Sequence, residues 1–311
     1  MKLHNSRLAG RGVKTKAAAI VAGSLALALG TTVAASADGG AASISKADSA
    51  TKHVATSAFS SQSPNTAQED VWAFSIDGRD ANGTIWSYGP KAGGGFNTRE
   101  QTGTNMGSAN AFFKNNSAND GHVNVYARFG GTLRAYTGAQ STGTVIGNGW
   151  NVYSAFVTPG NLGGAEYPDL LARDTSGNLW VYLAYKGGTF ASRVKVGGGW
   201  NAYNQIAGRG DLTGDGKADI VARDGSGNLW LYKGTGNYKA PFAARTKIGA
   251  GWNAYNRLVG LGDSNGDGRN DLIARATNGD LYLYAGTGNA SAPYKPRVKI
   301  GNGWNVYNYL F

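Results

Sequence analysis

No cysteine occurs in the 311 residues. That excludes a disulfide framework, thiolate zinc or iron–sulfur centres and cysteine nucleophiles. Histidine is nearly as scarce: His4, His53 and His122 are all there are. Only His122, beside Asp120, lies where the composition suits a folded domain, and it reads as a turn residue. A Ser-His-Asp triad or a multi-histidine metal site has almost nothing to draw on. Beyond the N-terminus no run is long and apolar enough to span a membrane, and no segment has a helical period. What abounds is glycine, 49 residues, about twice ordinary usage. It lacks the one-in-three spacing of collagen. With 41% apolar and 11% aromatic residues the chain can build a core, so global disorder is excluded. No catalytic residue is expected, and the chain reads as a non-enzyme.

The first 37 residues carry Lys2, Arg7, Arg11, Lys14 and Lys16, no acid, an apolar run from Ala17 to about Ala35, and the ending Ala35-Ser36-Ala37. This order is that of a secretory signal peptide over 1–37, cleaved after Ala37. There is no Arg-Arg pair for the twin-arginine route. The alternative is an uncleaved membrane anchor, because the apolar run is long enough to cross a bilayer. The mature chain is expected to be secreted, without a membrane span. Removing the five leader cations leaves 25 basic residues against 19 acidic ones, +6 rather than +11. That excess suits anionic cell-wall polymers better than nucleic acid. Over 38–67, Ala, Ser and Thr fill 17 of 30 positions. Such a segment cannot offset its ordering entropy and reads as a flexible linker or pro-segment.

Repetition organises the rest. Gly-Trp-Asn-x-Tyr occurs at 149–153, 199–203, 251–255 and 303–307, with a degenerate copy at Gly95-Phe96-Asn97. The aromatic spacings are 54, 50, 52 and 52. Arg79, Arg128, Arg173, Arg223 and Arg275 keep the same beat, as do Tyr88, Tyr136, Tyr182, Tyr232 and Tyr284. Residues 68–311 are therefore five units of about 49 residues (244/5). Each shows four short alternating stretches between Gly/Asn/Asp turns, the pattern of antiparallel strands. The expected fold is all-β, a five-bladed β-propeller of four-stranded blades. The blades fall at roughly 68–103, 104–151, 152–201, 202–253 and 254–304. The first unit begins at its second strand, and 305–311 matches a first strand that never continues. The C-terminal strand should therefore complete the first blade and close the ring. Gly234-Thr235-Gly236 and Gly286-Thr287-Gly288 precede no helix, so they are hairpin turns and not phosphate loops.

Two loops share an acidic spacing. One carries Asp211, Thr213, Asp215 and Asp219, with the Lys217 carbonyl between the last two. The other carries Asp263, Asn265, Asp267 and Asp271, with the Arg269 carbonyl. Oxygen donors at positions 1, 3, 5, 7 and 9 with Gly at 6 begin a calcium loop, with Asp219 or Asp271 in place of the usual position-12 Glu. Magnesium suits it less, since it keeps its waters. The alternative is a solvated Asp/Gly turn, in which three close carboxylates would repel. Unit two keeps Asn116, Asp120 and Asn124, and unit three keeps Asn161 and Asp169. A metal lost blade by blade would be structural and not catalytic.

The acidic loops with the following Ala-Asp-Ile-Val-Ala-Arg-Asp (218–224) resemble FG-GAP (integrin-α-like, or VCBS) repeats, which implies a calcium-pinned propeller. The order Lys-Ile-Gly-x-Gly-Trp-Asn-x-Tyr, strand, Asn-Gly turn, Asp/Asn-Leu-Tyr/Trp-Leu-Tyr is similar to the tachylectin family, with Phe96 for Trp in unit one. That resemblance implies a five-bladed lectin binding N-acetylated sugars between blades. Leader and composition resemble secreted actinobacterial proteins, among which such lectins target larger toxin complexes. Trp150, Trp200, Trp252 and Trp304, with Asn151, Asn201, Asn253 and Asn305, are the candidate sugar contacts. An indole can stack on a pyranose while Asn bonds its substituents; the competing role for these Trp is packing between blades. The five arginines read as interblade hydrogen-bond donors, with a polyanion-binding ring as the alternative. Trp86, Trp180 and Trp230 read as third-strand core. The expected partner is a glycan, glycoprotein or cell-wall polymer. A protein-interaction scaffold and a glycan-active enzyme are the other function classes.

Overall fold

A computed structural model describes residues 72–116, 122–137 and 142–311, with the short strands Ser43–Ile44, Asp48–Ser49 and Thr51–Lys52. The leader expected over 1–37 lies outside the described residues. The strands form five antiparallel sheets in a ring. Blade 3 runs Tyr153–Gly160, Tyr167–Asp174, Leu179–Ala184 and Val194–Gly197, in that spatial order. Blade 4 repeats it with Tyr203–Ala207, Ile220–Asp224, Leu229–Tyr232 and Thr246–Gly249. Blade 5 comprises Tyr255–Gly262, Asp271–Ala276, Leu281–Tyr284 and Val298–Gly301. Blade 2 comprises Ala109–Asn115, His122–Phe129, Thr132–Tyr136 and Thr144–Gly147. His122 thus opens a strand and is not in a turn.

Blade 1 contains Ile76–Asp80, Ile85–Tyr88 and Glu100–Thr104, and its innermost strand is Tyr307–Leu310 from the other end of the chain. The register is Tyr307↔Asp80, Tyr309↔Arg79 and Leu310↔Gly78. The expected closure by the C-terminal strand is what the ring shows. Gly78 is required here, since a Cβ would stand 2.4 Å from the Tyr307 ring.

Second strands are buried almost throughout, as in Ile220-Val221-Ala222-Arg223, because both sheet faces are covered. Third strands alternate: Leu229 and Leu231 are buried, while Trp230 and Tyr232 are half-buried. The core is a set of wedges between neighbouring blades. One joins Leu171, Leu179 and Val181 of blade 3 to Trp200, Tyr203 and Ile220. The topology makes two unlike faces. One carries the acidic loops and Gly-Thr-Gly turns; the other carries the second-to-third-strand hairpins and the Gly-Trp-Asn turns. Within the segment expected as a linker, Ser43–Ile44 pairs with Thr104 and Gly103, and Asp48–Ser49 with Val123 and His122. Thr51–Lys52 pairs with Ala73 and Trp72.

Candidate functional site

Each Gly-Trp-Asn turn is one short 3-10 turn entered through a left-handed glycine. Gly149, Gly199, Gly251 and Gly303 have φ of 82°, 81°, 79° and 73°. Nothing lies within 4 Å of where their Cβ would be, so backbone conformation and not crowding demands glycine. The turn docks on the preceding blade. The Trp200 amide donates to the Gly177 carbonyl at 2.9 Å, and Asn201 Nδ2 to the Thr175 carbonyl at 3.2 Å. Asn253 and Asn305 repeat the bond to Gly225 (3.1 Å) and Thr277 (2.9 Å).

The arginines complete this joint. Arg275 donates through Nε to Asn256 (2.7 Å) and through Nη1 to the carbonyls of Trp304 (3.0 Å) and Tyr307 (2.7 Å). Arg128, Arg173 and Arg223 do the same toward Trp150/Tyr153, Trp200/Tyr203 and Trp252/Tyr255. Burial lowers the pKa of all five arginines. They are interblade ties, as the repeat suggested.

Arg79 donates to the carbonyls of Met106 and Ala109. Met106 therefore occupies the position of the tryptophans at the first junction, and Asn105 (φ 59°) that of the left-handed glycine. This corrects the reading of Gly95-Phe96-Asn97 as the degenerate copy. Phe96 bridges Pro90 as Phe190 bridges Ala184, Phe242 bridges Gly234 and Tyr294 bridges Gly286, so it belongs to the loop before the outer strand.

The four tryptophans are 7–8% exposed. Each lies against a third-strand tyrosine: Trp150–Tyr182 at 5.0 Å, Trp200–Tyr232 at 4.8 Å, Trp252–Tyr284 and Trp304–Tyr88 at 4.6 Å between ring centroids. The packing role is thus filled, and an open indole face for a pyranose is not presented. The indole edge is different. A Cβ on Gly147, Gly249 or Gly301 would stand 3.1, 2.7 or 2.6 Å from Nε1, and on Gly197 4.0 Å. At that glycine gap the four Nε1–H groups make no hydrogen bond among the described residues and are not sealed from water. The Asn beside each is exposed.

Beneath the wedge, Tyr153 and Tyr182 share a hydroxyl hydrogen bond of 2.5 Å, and Arg193 Nη1 donates to Tyr153 at 2.5 Å. Arg193 also covers Trp180 at 4.1 Å. Arg99 over Trp86, Arg245 over Trp230 and Arg297 over Tyr282 repeat this ledge at 4.1, 4.1 and 4.5 Å. Trp86, Trp180 and Trp230 are therefore half-buried plates under a guanidinium and not core. Burial and the bond to Tyr307 push the Tyr88 hydroxyl up to about 12. These four arginines were not singled out in the sequence; their fixed place before each outer strand was the available signal.

On the opposite face, Asp211 accepts from the amides of Thr213, Gly214 and Gly216 at 2.8, 2.6 and 2.7 Å. Asp219 accepts from Leu212 and Gly234, and Asp271 from Ser264 and Gly286. Asp263 takes Gly266, Asp267 and Gly268. The outer carboxylates meet lysines: Asp215–Lys233 at 3.5 Å and Asp267–Lys295 at 3.1 Å. Burial first, then the neighbouring aspartates, lift Asp219 to about 6 and Asp271 to about 7. The donor chemistry fits a hard cation, but among the described residues no three acidic side chains converge as a metal-holding group. Thr213 and Asn265 stand in these loops, beside Lys217 and Arg269. In unit two Asp120 lies outside the described residues, while Asn116 is buried and Asn124 accepts from Thr137.

Residues 164–222 and 211–274, within the third to fifth blades, match the FG-GAP-like repeat. Among solved structures it is similar to a symmetrical protein described for its de novo evolutionary emergence. That match has 14% identity and a TM-score of 0.51, over 76% of this chain and 97% of the other. It is also similar to an Agrocybe aegerita lectin that recognises non-reducing terminal N-acetylglucosamine (17% identity, TM-score 0.44, 74% of this chain and 63% of that one). A third is the BP39L lectin of Burkholderia pseudomallei (15%, 0.45, 83% and 71%). No curated protein matches. Among the described residues no helix is long and apolar enough to cross a membrane.

Proposed function

We propose that this chain is a secreted, calcium-stabilised propeller that binds carbohydrate multivalently and performs no catalysis. The observation that carries the reading is the unpartnered indole Nε1–H at a glycine gap, repeated at four blade junctions beside an exposed Asn. A donor held rigidly and left open to water is suited to a carbonyl or hydroxyl acceptor, such as the acetamido oxygen of an N-acetylated sugar. One such contact contributes only about 1 kcal/mol net. Four around one ring convert weak sites into avidity on a cell-wall polymer or glycoprotein. The acidic loops take calcium through Asp211, Thr213, Asp215, Asp219 and the Lys217 carbonyl, and through Asp263, Asn265, Asp267, Asp271 and the Arg269 carbonyl. What supports this is the pair of buried carboxylates, Asp219 and Asp271, each pushed up beside two further acids. Export rests on the N-terminal signal pattern.

The test is a glycan array with calcium and with chelator, followed by retention on an N-acetylglucosamine polymer. Retention should be competed by N-acetylated sugars and survive moderate salt. Folded Trp200→Phe, Trp252→Phe and Trp304→Phe proteins that bind unchanged would transfer the reading to a protein-interaction scaffold.

A further inference from the structure

The five innermost strands surround an axial cavity of about 210 Å3. One ring of positions breaks the repeat there. Opposite the five conserved-in-register arginines stand Ala155 (to Arg173), Gln205 (to Arg223), Arg257 (to Arg275), Tyr309 (to Arg79) and Ala111 (to Arg128). The neighbouring positions recur in kind: a tyrosine two residues earlier in four blades (Ala109 in the second), the Asn or Ser between, the arginine across. This one does not, and four of the five line the cavity. Two alanines leave space on one side. Gln, Arg and Tyr crowd the other.

Arg257 is half-buried in that wall and its guanidinium lies 4.6 Å from the Tyr309 ring centroid. It makes no hydrogen bond or ion pair among the described residues, and its Nε is shielded from water without a partner. The lining includes Lys114, Arg173 and Arg257 but no acid. Lys114 is neutralised by Asp77 at 2.9 Å. Arg173 bonds only neutral groups, Ser154 and the carbonyls of Trp200 and Tyr203. Two cationic charges therefore face the cavity uncompensated. Phe112, Phe156 and Tyr309 supply aromatic walls beside them.

We infer that the axial cavity is a second binding site, for a six-membered ring bearing a carboxylate, with Arg257 as the anion contact. A fork of N–H donors is matched to a carboxylate, which it takes in two parallel bonds. A cavity of about 150 Å3 holds a benzene molecule, so this one admits a ring of that size and its carboxylate. The site is distinct from the junction clefts and does not depend on them.

The test titrates the whole chain by calorimetry with D-glucuronate, with D-glucose as the uncharged control and cyclohexanecarboxylate as the non-sugar acid. Glucuronate or cyclohexanecarboxylate should bind at millimolar concentration or tighter, and glucose at least tenfold more weakly. Which acid binds better says whether the ring is a sugar. Arg257→Gln should weaken binding at least tenfold while leaving retention on the N-acetylglucosamine polymer unchanged. Ala155→Trp, which fills the open side and keeps Arg257, should abolish binding and covers the case in which Arg257→Gln fails to fold. No carboxylate binding at 10 mM, or equal binding by a folded Arg257→Gln or Ala155→Trp protein, overturns the inference.

Discussion

In chelator, the ring should lose stability as pH rises from 5 to 8, the reverse of what paired carboxylates give. Asp219 and Asp271 have folded-state values of about 6 and about 7 against an ordinary 3.8. A carboxylate raised on folding is protonated in the native state where the unfolded chain has already ionised. Its stabilisation is full below pH 3.8 and is lost as pH rises through 6 and 7. At about 1.4 kcal/mol per unit, the loss is of order 3 kcal/mol for Asp219 and 4 kcal/mol for Asp271. In a ring of this size 1 kcal/mol moves the melting temperature by about 2–4 °C. Between pH 5 and pH 8 about one unit of the Asp219 loss and two of the Asp271 loss remain, about 1.4 and 2.7 kcal/mol, so Asp219 alone should lower Tm by about 3–5 °C over that interval.

Other aspartates act in a different window. Asp224, held down to about 2 by the Trp230 Nε1–H and the Asn228 amides, contributes stability above pH 3.8 that is lost as pH falls through 2. It is fully ionised in both states before the 5-to-8 interval begins. If the loops take calcium as proposed, it would bind their ionised form and oppose the fall; at 100 times its Kd each site would add about 2.7 kcal/mol. The assay is scanning calorimetry at pH 5, 6, 7 and 8, in chelator and in calcium, with Asp271→Asn alongside. A flat Tm across that range in chelator, or an undiminished slope in Asp271→Asn, would refute the reasoning.

Other outcomes follow from the junctions. Successive Trp200→Phe, Trp252→Phe and Trp304→Phe changes keep an aromatic ring against the tyrosine but remove the N–H together with part of a buried indole, so polymer retention should decline stepwise and Tm should fall with each change. Arg223→Leu strands the carbonyls of Trp252 and Tyr255, each worth about 1–3 kcal/mol when left unsatisfied, and urea titration should show a loss in that range or above. Gly251→Ala meets no atom within 4 Å but must hold φ near 79°, so a loss of about 1–2 kcal/mol is expected, largely recovered in Gly251→Asn. Deleting residues 305–311 bares Ile76–Asp80 as an inner edge and should give aggregation by light scattering; a truncated chain that melts like the parent would contradict closure.

The blades were legible in the sequence because each recurring landmark answers one physical demand. The glycines before Trp must be left-handed, the arginines must reach two carbonyls of the next blade, and the tyrosines must back the indole. The first junction was misplaced because Met106 fills the wedge with apolar volume and carries no aromatic signal. Counting aromatics alone led to Phe96, which meets a demand of its own in the loop before the outer strand. Which part of each indole stays accessible could not be read at all. It depends on how the glycine three residues before each Trp, the last of the outer strand, meets the indole edge once the 3-10 turn has formed, which is set by backbone geometry and not by residue type. The axial ring was invisible for the opposite reason: its residues differ from blade to blade, so a search for repetition passes over them.

The third blade separates the acidic loop's shape from its metal chemistry. Asn161 Oδ1 accepts from the Gly163 amide at 2.7 Å, as Asp211 accepts from Thr213, and Asp169 accepts from Leu162 at 2.8 Å, as Asp219 accepts from Leu212. Much of the fold of the loop thus survives with Gly163 and Ala165 where Thr213 and Asp215 stand. The amide bonds that organise Asp211 and Asp263 are therefore explained by the turn itself and are no argument for a cation. What the third blade lacks is the cluster of charge: one buried carboxylate in place of three acids. Asp219 and Asp271 sit at the same position as Asp169 but face Asp211 and Asp215, or Asp263 and Asp267, which raise them further. That added repulsion does not help the turn form. It is the feature that a bound divalent cation would convert from a cost into an attraction, which is why calcium uptake in blades 4 and 5, and none in blade 3, is the expected stoichiometry.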